Sequence, residues 1–137
     1  VVVAQRLVRQ LCPESRVKYR LTPEKITALG KEINLDKMLK ILRQDKIIGP
    51  KDTWETLDFY HPQETADCPK GYKGRIGIYE VLEVTPAIQK LIVASATSDE
   101  IQKAAQAEGM MTMLEDGFIK AVQGITTIEE VLRASSE

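Results

Sequence analysis

Few side chains in this sequence are of kinds that perform chemistry, and their spacing narrows what they could do. The stretch "CPKGYKGRIGIYEVLEVTP" gathers Cys68, Lys70, Gly71, Lys73, Gly74 and Arg75 just ahead of an apolar run. Gly71 and Gly74 let the backbone turn sharply, and the basic side chains place cationic groups at that turn. Arg75 stands at the threshold between loop and strand, so it is held better than the loop lysines. A fixed guanidinium suits two-pronged recognition of phosphate or carboxylate. A structural ion pair with an acid at the core edge would account for the same arginine. Glycines at 71, 74 and 77 do not match the dinucleotide fingerprint, and no G-x-x-x-x-G-K-[ST] occurs.

Catalytic constellations fare no better. The one histidine, His61, lies between Tyr60 and Pro62, and any Ser–His–Asp or Cys–His arrangement would have to centre there. Its simpler reading is an exposed loop histidine. Glu100, Glu115 and Glu129 serve as helix-capping acids, so nothing here is a self-sufficient active site. A closed zinc site needs four nitrogen or sulfur ligands, usually from two C-x-x-C hooks. "CPES" pairs Cys12 with Ser15, and "CPKG" pairs Cys68 with Gly71. Cys12, Cys68 and His61, completed by Glu64 or Asp67, is the fullest ligand set available; two buried, small apolar cysteines is the plainer alternative. Two cysteines 56 positions apart do not make a disulfide framework.

The elements that must position these residues can be read from patterning. The 137 residues fit one domain, or one domain with a small satellite, and 43% hydrophobic content suffices for a core. Nineteen Lys plus Arg against twenty Asp plus Glu give a formal charge of −1, without the basic footprint of a nucleic-acid binder. No apolar run approaches the roughly 20 residues that span a bilayer. The opening "VVVAQRLVRQ" has no charged leader or cleavage site; with no initiator Met, the chain reads as a fragment of a cytoplasmic protein. Leu7, Val8 and Leu11 could line a helix, while the alternation Gln5, Leu7, Arg9, Leu11 suits a strand. Thr22 and Pro23 open a short helix that ends at Gly30, and "NLDKMLKILRQ" puts Leu35, Met38, Leu39 and Leu42 on one helical face. "IIGPKDTW" and "YHPQETADCP" read as turns and loops. "RIGIYEVLEV" is a strand stopped by Thr85-Pro86. Four helices follow, punctuated by capping pairs Thr97 with Glu100, Thr112 with Glu115 and Thr126 with Glu129, and by Gly109 and Gly124. Ile101, Ala104 and Ala105 are expected to face Leu114, Phe118, Val122, Ile128, Val131 and Leu132 in a compact bundle.

Three segments, taken in order, resemble a known family: "VVVAQRLVRQLCP", "GYKGRIGIYEVLEVTPAIQKLI" and "GMMTMLEDGFIKAVQGITTIEEVLR". They look like the C-terminal third of the type II secretion and type IV pilus-assembly ATPases, hexameric RecA-like P-loop motors. The likeness covers nearly the whole chain and is weakest across residues 16–66. It implies an α+β, predominantly helical fold. Residues 1–11 would end the RecA-like core, and 12–70 would replace the family's small metal-binding subdomain. Residues 71–84 would be the glycine and basic loop with a strand returning to the core, and 85–137 a four-helix, bundle-like subdomain. Ala4 to Leu11 would run partly extended beside 75–84.

The resemblance also implies that ATP and Mg belong to motifs upstream, leaving this segment without catalysis of its own. Arg75 falls on the arginine of the family's GYxGR, implicated in nucleotide-linked subunit contacts; Gly71, Lys73 and Gly74 belong to the same motif, and Gln5 and Arg6 to its "AQRL". Zinc is held in many members by two C-x-x-C hooks; Ser15 and Gly71 break both here, leaving Cys12 and Cys68 as weak ligand candidates. Implied partners are neighbouring subunits of a homohexamer and the inner-membrane platform protein, at the cytoplasmic face of the bacterial inner membrane. No nucleic acid and no membrane span is expected. A stand-alone adaptor derived from such a motor, a metal-stabilised structural domain and a hydrolase centred on His61 are the competing readings.

Overall fold

The computed structural model describes residues 1–136; Glu137, the last residue of the expected helical section 85–137, lies outside them. Val2–Leu11 forms strand β1 rather than a helix, because a partner strand satisfies its backbone groups. That partner is β4, Tyr72–Leu82, running antiparallel with Val3 opposite Val81, Gln5 opposite Tyr79 and Arg9 opposite Arg75. Leu11 then faces Tyr72, so β4 carries one extra residue at this point. Gly74, at φ 80°, accommodates that bulge. The expected glycine loop is therefore mostly strand, and β4 begins three residues before Arg75.

The sharp turn sits just upstream, in a 3-10 turn at Pro69–Gly71, where Lys70 has φ 62° and Gly71 φ 81°. A β-carbon on Gly71 would come within 2.6 Å of both Gln63 N and Pro62 Cβ. Gly71→Ala should cost about 2–4 kcal/mol in denaturant unfolding, from left-handed strain plus a clash with backbone. A loss below about 0.5 kcal/mol would show that the turn relaxes around the methyl group.

A second two-stranded antiparallel sheet joins β2 (Val17–Arg20) to β3 (Asp58–His61), with Val17 opposite His61 and Tyr19 opposite Phe59. Patterning predicts loop at Tyr60 and His61; each strand is only four residues long, too short to display a period. Helix α1 (Pro23–Leu29) is capped by the Thr22 hydroxyl and α2 (Leu35–Gln44) by the Asn34 side chain. Four more helices follow β4: α3 (Pro86–Val93), α4 (Ser98–Ala107), α5 (Met113–Val122) and α6 (Ile128–Ser136). Thr85, Thr97 and Thr112 cap the first three as expected, and Thr112 with Glu115 forms the full reciprocal box.

Six helices with small antiparallel sheets make an α+β fold. From residue 86 onward, α3 packs on α4 and α5 packs on α6. The main core joins Phe118, Ala121, Ile128 and Val131 of the second pair to Leu21, Leu29, Met38, Leu42, Trp54, Leu57 and Phe59 of the preceding section. The reason is apolar supply. The stretch around α1, α2 and β3 carries more large side chains than it can bury alone, whereas the inward face of α4 offers mostly alanine.

Candidate functional site on the β1–β4 ribbon

Strand alternation sorts the ribbon's side chains onto two faces. Val8 and Ile78 lie on one, fully buried, with Ala134 of α6 among their core neighbours and Ile76 and Met113 packed alongside. Val3, Gln5, Leu7 and Arg9 lie on the other, beside Arg75, Gly77, Tyr79 and Val81. That second face is open: Val3 is 58% exposed, Leu7 45%, Tyr79 43% and Val81 48%. Scattered exposed apolar side chains are ordinary, but a contiguous set on one face marks a contact surface. Gln5 Nε2 donates a 3.2 Å hydrogen bond to the Tyr79 hydroxyl. Gly77 makes room for it, since a β-carbon there would lie 2.7 Å from both of those atoms.

The ribbon is fastened along its edges. Arg9 N–H donates to Glu130 Oε1 at 2.8 Å, Thr126 Oγ1 donates to Arg9 O at 2.8 Å and Leu11 N–H donates to Ile125 O at 2.8 Å. On the β4 side, Tyr79 N–H donates to Asp116 Oδ2 at 2.9 Å. Glu130, 3% exposed, also accepts from Arg9 Nε at 3.1 Å, Arg9 Nη2 at 3.1 Å and Arg133 Nε at 3.2 Å. The Arg9 guanidinium lies 4.2 Å over the Tyr72 ring, whose hydroxyl shares a 3.0 Å hydrogen bond with Thr127 Oγ1. Burial pushes the Glu130 carboxyl up, but the hydrogen bonds from Arg9 and Arg133 outweigh it and hold the group at about 2. The bond to Glu130 in turn raises Arg9 above its ordinary value.

This arrangement decides the state of Arg75. It sits directly opposite Arg9, where two like charges repel. Glu130 engages Arg9. Arg75 is exposed, and its guanidinium has no ion pair or hydrogen bond among the described residues. Among the described residues no core-edge acid pairs with it. Gln5 shares its face, whereas Arg6 lies opposite Ile78 on the other face, so the two do not converge. Lys73 is exposed at the bulge beside Gly74, and Gly71 is committed to the turn.

Sequence reasoning missed Glu130 and Arg9. It placed the last capping pair at Thr126 and Glu129; in the structure Thr127 Oγ1 accepts from Glu130 N at 3.2 Å, one residue later, while Thr126 bonds to β1. "TTIEE" fits either phase, and only the partner strand, 121 residues away, chooses between them.

The metal candidates do not assemble. Cys12 and Cys68 are both buried, as expected, but they are joined to each other as a disulfide, which corrects the expectation that two cysteines 56 positions apart form none. Among the described residues no group of three or more His, Cys, Asp or Glu could hold an ion. Ser15 Oγ is buried without a hydrogen-bond partner, and Gly71 has no side chain to offer. Glu64 accepts from Lys70 N–H at 3.3 Å instead. His61 lies in β3, half-buried, with its ring stacked 3.7 Å from that of Tyr19, so the exposed loop histidine is corrected as well. Stacking on one side and strand pairing on the other hold it as a packing group.

Comparison with known proteins gives these features a setting. The family described as "Type II/IV secretion system protein" matches residues 1–133. The chain is 34% identical over 137 residues to the type IV pilus assembly ATPase PilB of Pseudomonas aeruginosa, covering 100% of this chain and 21% of that protein. It is 37% identical to the PilB of Thermus thermophilus, covering 99% of this chain and 13% of that one. With the type II secretion system ATPase E of Vibrio cholerae it shares 35% identity, covering 99% and 23% respectively. The chain therefore spans about a fifth of the length of most of these relatives. Among the described residues no helix is long and apolar enough to cross a membrane. With 133 of its residues matched from the first onward, the chain belongs to the type II/IV secretion system protein family.

Proposed function

We propose that this chain is the C-terminal, force-relaying part of an ATPase that drives type II secretion or type IV pilus assembly. The observation that carries the reading is Arg75: an exposed arginine on a paired strand, opposite an arginine already engaged, with no acid of its own among the described residues. Beside it runs the open apolar face of Val3, Leu7, Tyr79 and Val81. A surface of that composition fits a neighbour bearing apolar groups and one anionic group, a carboxylate or a nucleotide phosphate.

In this reading residues 1–11 and the β4 strand complete a RecA-like core, while ATP and Mg are held by other parts of the full protein. The motor works as a homohexamer at the cytoplasmic face of the bacterial inner membrane, against a platform protein there. ATP binding and hydrolysis between subunits would turn rigid blocks about hinges, and the α5–α6 core, tied to β1 through Glu130, would be one such block. The phosphate-binding loop of such a motor would lie outside this segment, which has no G-x-x-x-x-G-K-[ST].

Arg75→Ala in a full-length ATPase carrying this segment tests the reading. ATP turnover should fall about tenfold or more, with Arg75→Lys only partly restoring it because a lysine lacks the planar fork. The melting temperature of the 137-residue chain should stay within about 2 °C, the guanidinium having no partner to lose. Unchanged turnover in Arg75→Ala would remove the reading's support.

A further inference from the structure

The residues that the resemblance would give to zinc do not fit it, and what stands in their place has chemistry of its own. Cys12 directly follows β1 and Cys68 directly precedes the 3-10 turn into β4, with Cα atoms 6.6 Å apart, inside the span that a disulfide bridges. The bond therefore closes the base of the excursion 13–67, which carries β2, α1, α2 and β3. Backbone bonds converge on the same point. Cys12 N–H donates to Gly71 O at 3.2 Å, Gly71 N–H donates to Cys68 O at 3.0 Å, and Thr65 and Cys68 exchange bonds of 3.2 and 3.1 Å.

Both half-cystines are buried, yet each lines a cleft of about 780 Å³ together with Glu14, Ser15, Asp67 and Lys73. That cleft is the route by which a small thiol would approach them.

We propose that Cys12 and Cys68 form a reversible redox clasp, locking the base of the excursion when oxidised and freeing it when reduced. Reduction consumes a dithiol. A thiolate of the reductant attacks one sulfur, forming a mixed disulfide and releasing the other cysteine as a thiolate that takes up a proton. The second thiol of the reductant then displaces the remaining cysteine, which is protonated in turn. The chain gains two electrons and two protons, and the reductant leaves as its own disulfide. Oxidised glutathione drives the reverse, closing the bond and leaving as two reduced glutathione molecules. In a reducing compartment the open dithiol is the resting form and oxidation sets the lock. The clasp adjoins Lys73, Gly74 and Arg75 along the chain, so its state bears on the root of β4. This inference stands whether or not the chain relays force.

The test uses the chain equilibrated with dithiothreitol or with oxidised glutathione, followed by alkylation, mass measurement, melting and hydrogen exchange. Oxidised protein should take up no alkylating label and reduced protein two, one on each of Cys12 and Cys68. Reduction should lower the melting temperature by about 5–15 °C, the loop closed being long. Amides at 12–20 and 63–74 should exchange at least about tenfold faster when reduced, with α5 and α6 unchanged. The double variant Cys12→Ser, Cys68→Ser should behave as the reduced protein and ignore both reagents. If that variant fails to fold, the two states of the native sequence decide alone. Two alkylatable thiols after glutathione oxidation, identical exchange in both states, or stoichiometric zinc uptake by the reduced protein would each overturn the proposal.

Discussion

Glu130→Ala should lower the unfolding free energy by about 2–4 kcal/mol, because it removes the buried carboxylate that accepts from the Arg9 N–H and from two half-exposed guanidiniums. The loss should be cooperative, seen in one denaturant transition, since this carboxylate links β1 to α6 across 121 residues. Acid titration gives an independent signature. The folded carboxyl titrates at about 2, below its ordinary value of 4.5. Its contribution is therefore complete above about pH 4.5 and disappears as the pH falls towards 2, since the unfolded chain takes up the proton first. Glu130→Gln should flatten that part of the stability profile. A variant as acid-sensitive as the native protein would show that other carboxylates control acid unfolding.

Phe118→Ala should cost a similar amount, about 3–5 kcal/mol, by opening a cavity where a fully buried ring packs. Its consequence reaches beyond α5, because Phe118 belongs to the same core as Met38, Leu42, Trp54 and Phe59. Tryptophan fluorescence from Trp54 should report the destabilisation at the same midpoint as helical circular dichroism. If Trp54 melts separately, the section around α1 and α2 is an independent unit and the shared core is not cooperative.

What could be read from the sequence was local. Thr22 with Pro23, Thr85 with Pro86 and Thr112 with Glu115 mark helix starts because a cap involves residues three apart, and each lies where the sequence put it. The strand around Ile76–Leu82 declared itself by β-branched residues. What could not be read was long-range. β2 and β3 are four residues each and exist only through each other. Thr126 and Thr127 compete for one cap, and a hydrogen bond to Arg9 settles it. Whether α4 or α2 would claim the apolar face of α5 depended on which had the larger side chains to bury. Cys12 and Cys68 meet because β1 and β4 pair, a fact that no spacing encodes. For Arg75, spacing alone offered a functional contact or an ion pair equally, and among the described residues no acid pairs with it.

The open face of the ribbon on which Arg75 stands can be spoiled without touching the core. Leu7→Glu together with Val81→Glu places two charges on that face, where both side chains are about half exposed. In a full-length ATPase carrying this segment, assembly measured by light scattering should fail and ATP turnover with it. The 137-residue chain bearing the same changes should melt within about 2 °C of the native sequence. Normal assembly and turnover in the doubly charged protein would contradict the account, since a surface that seats a neighbouring part of the motor cannot take two buried carboxylates unharmed.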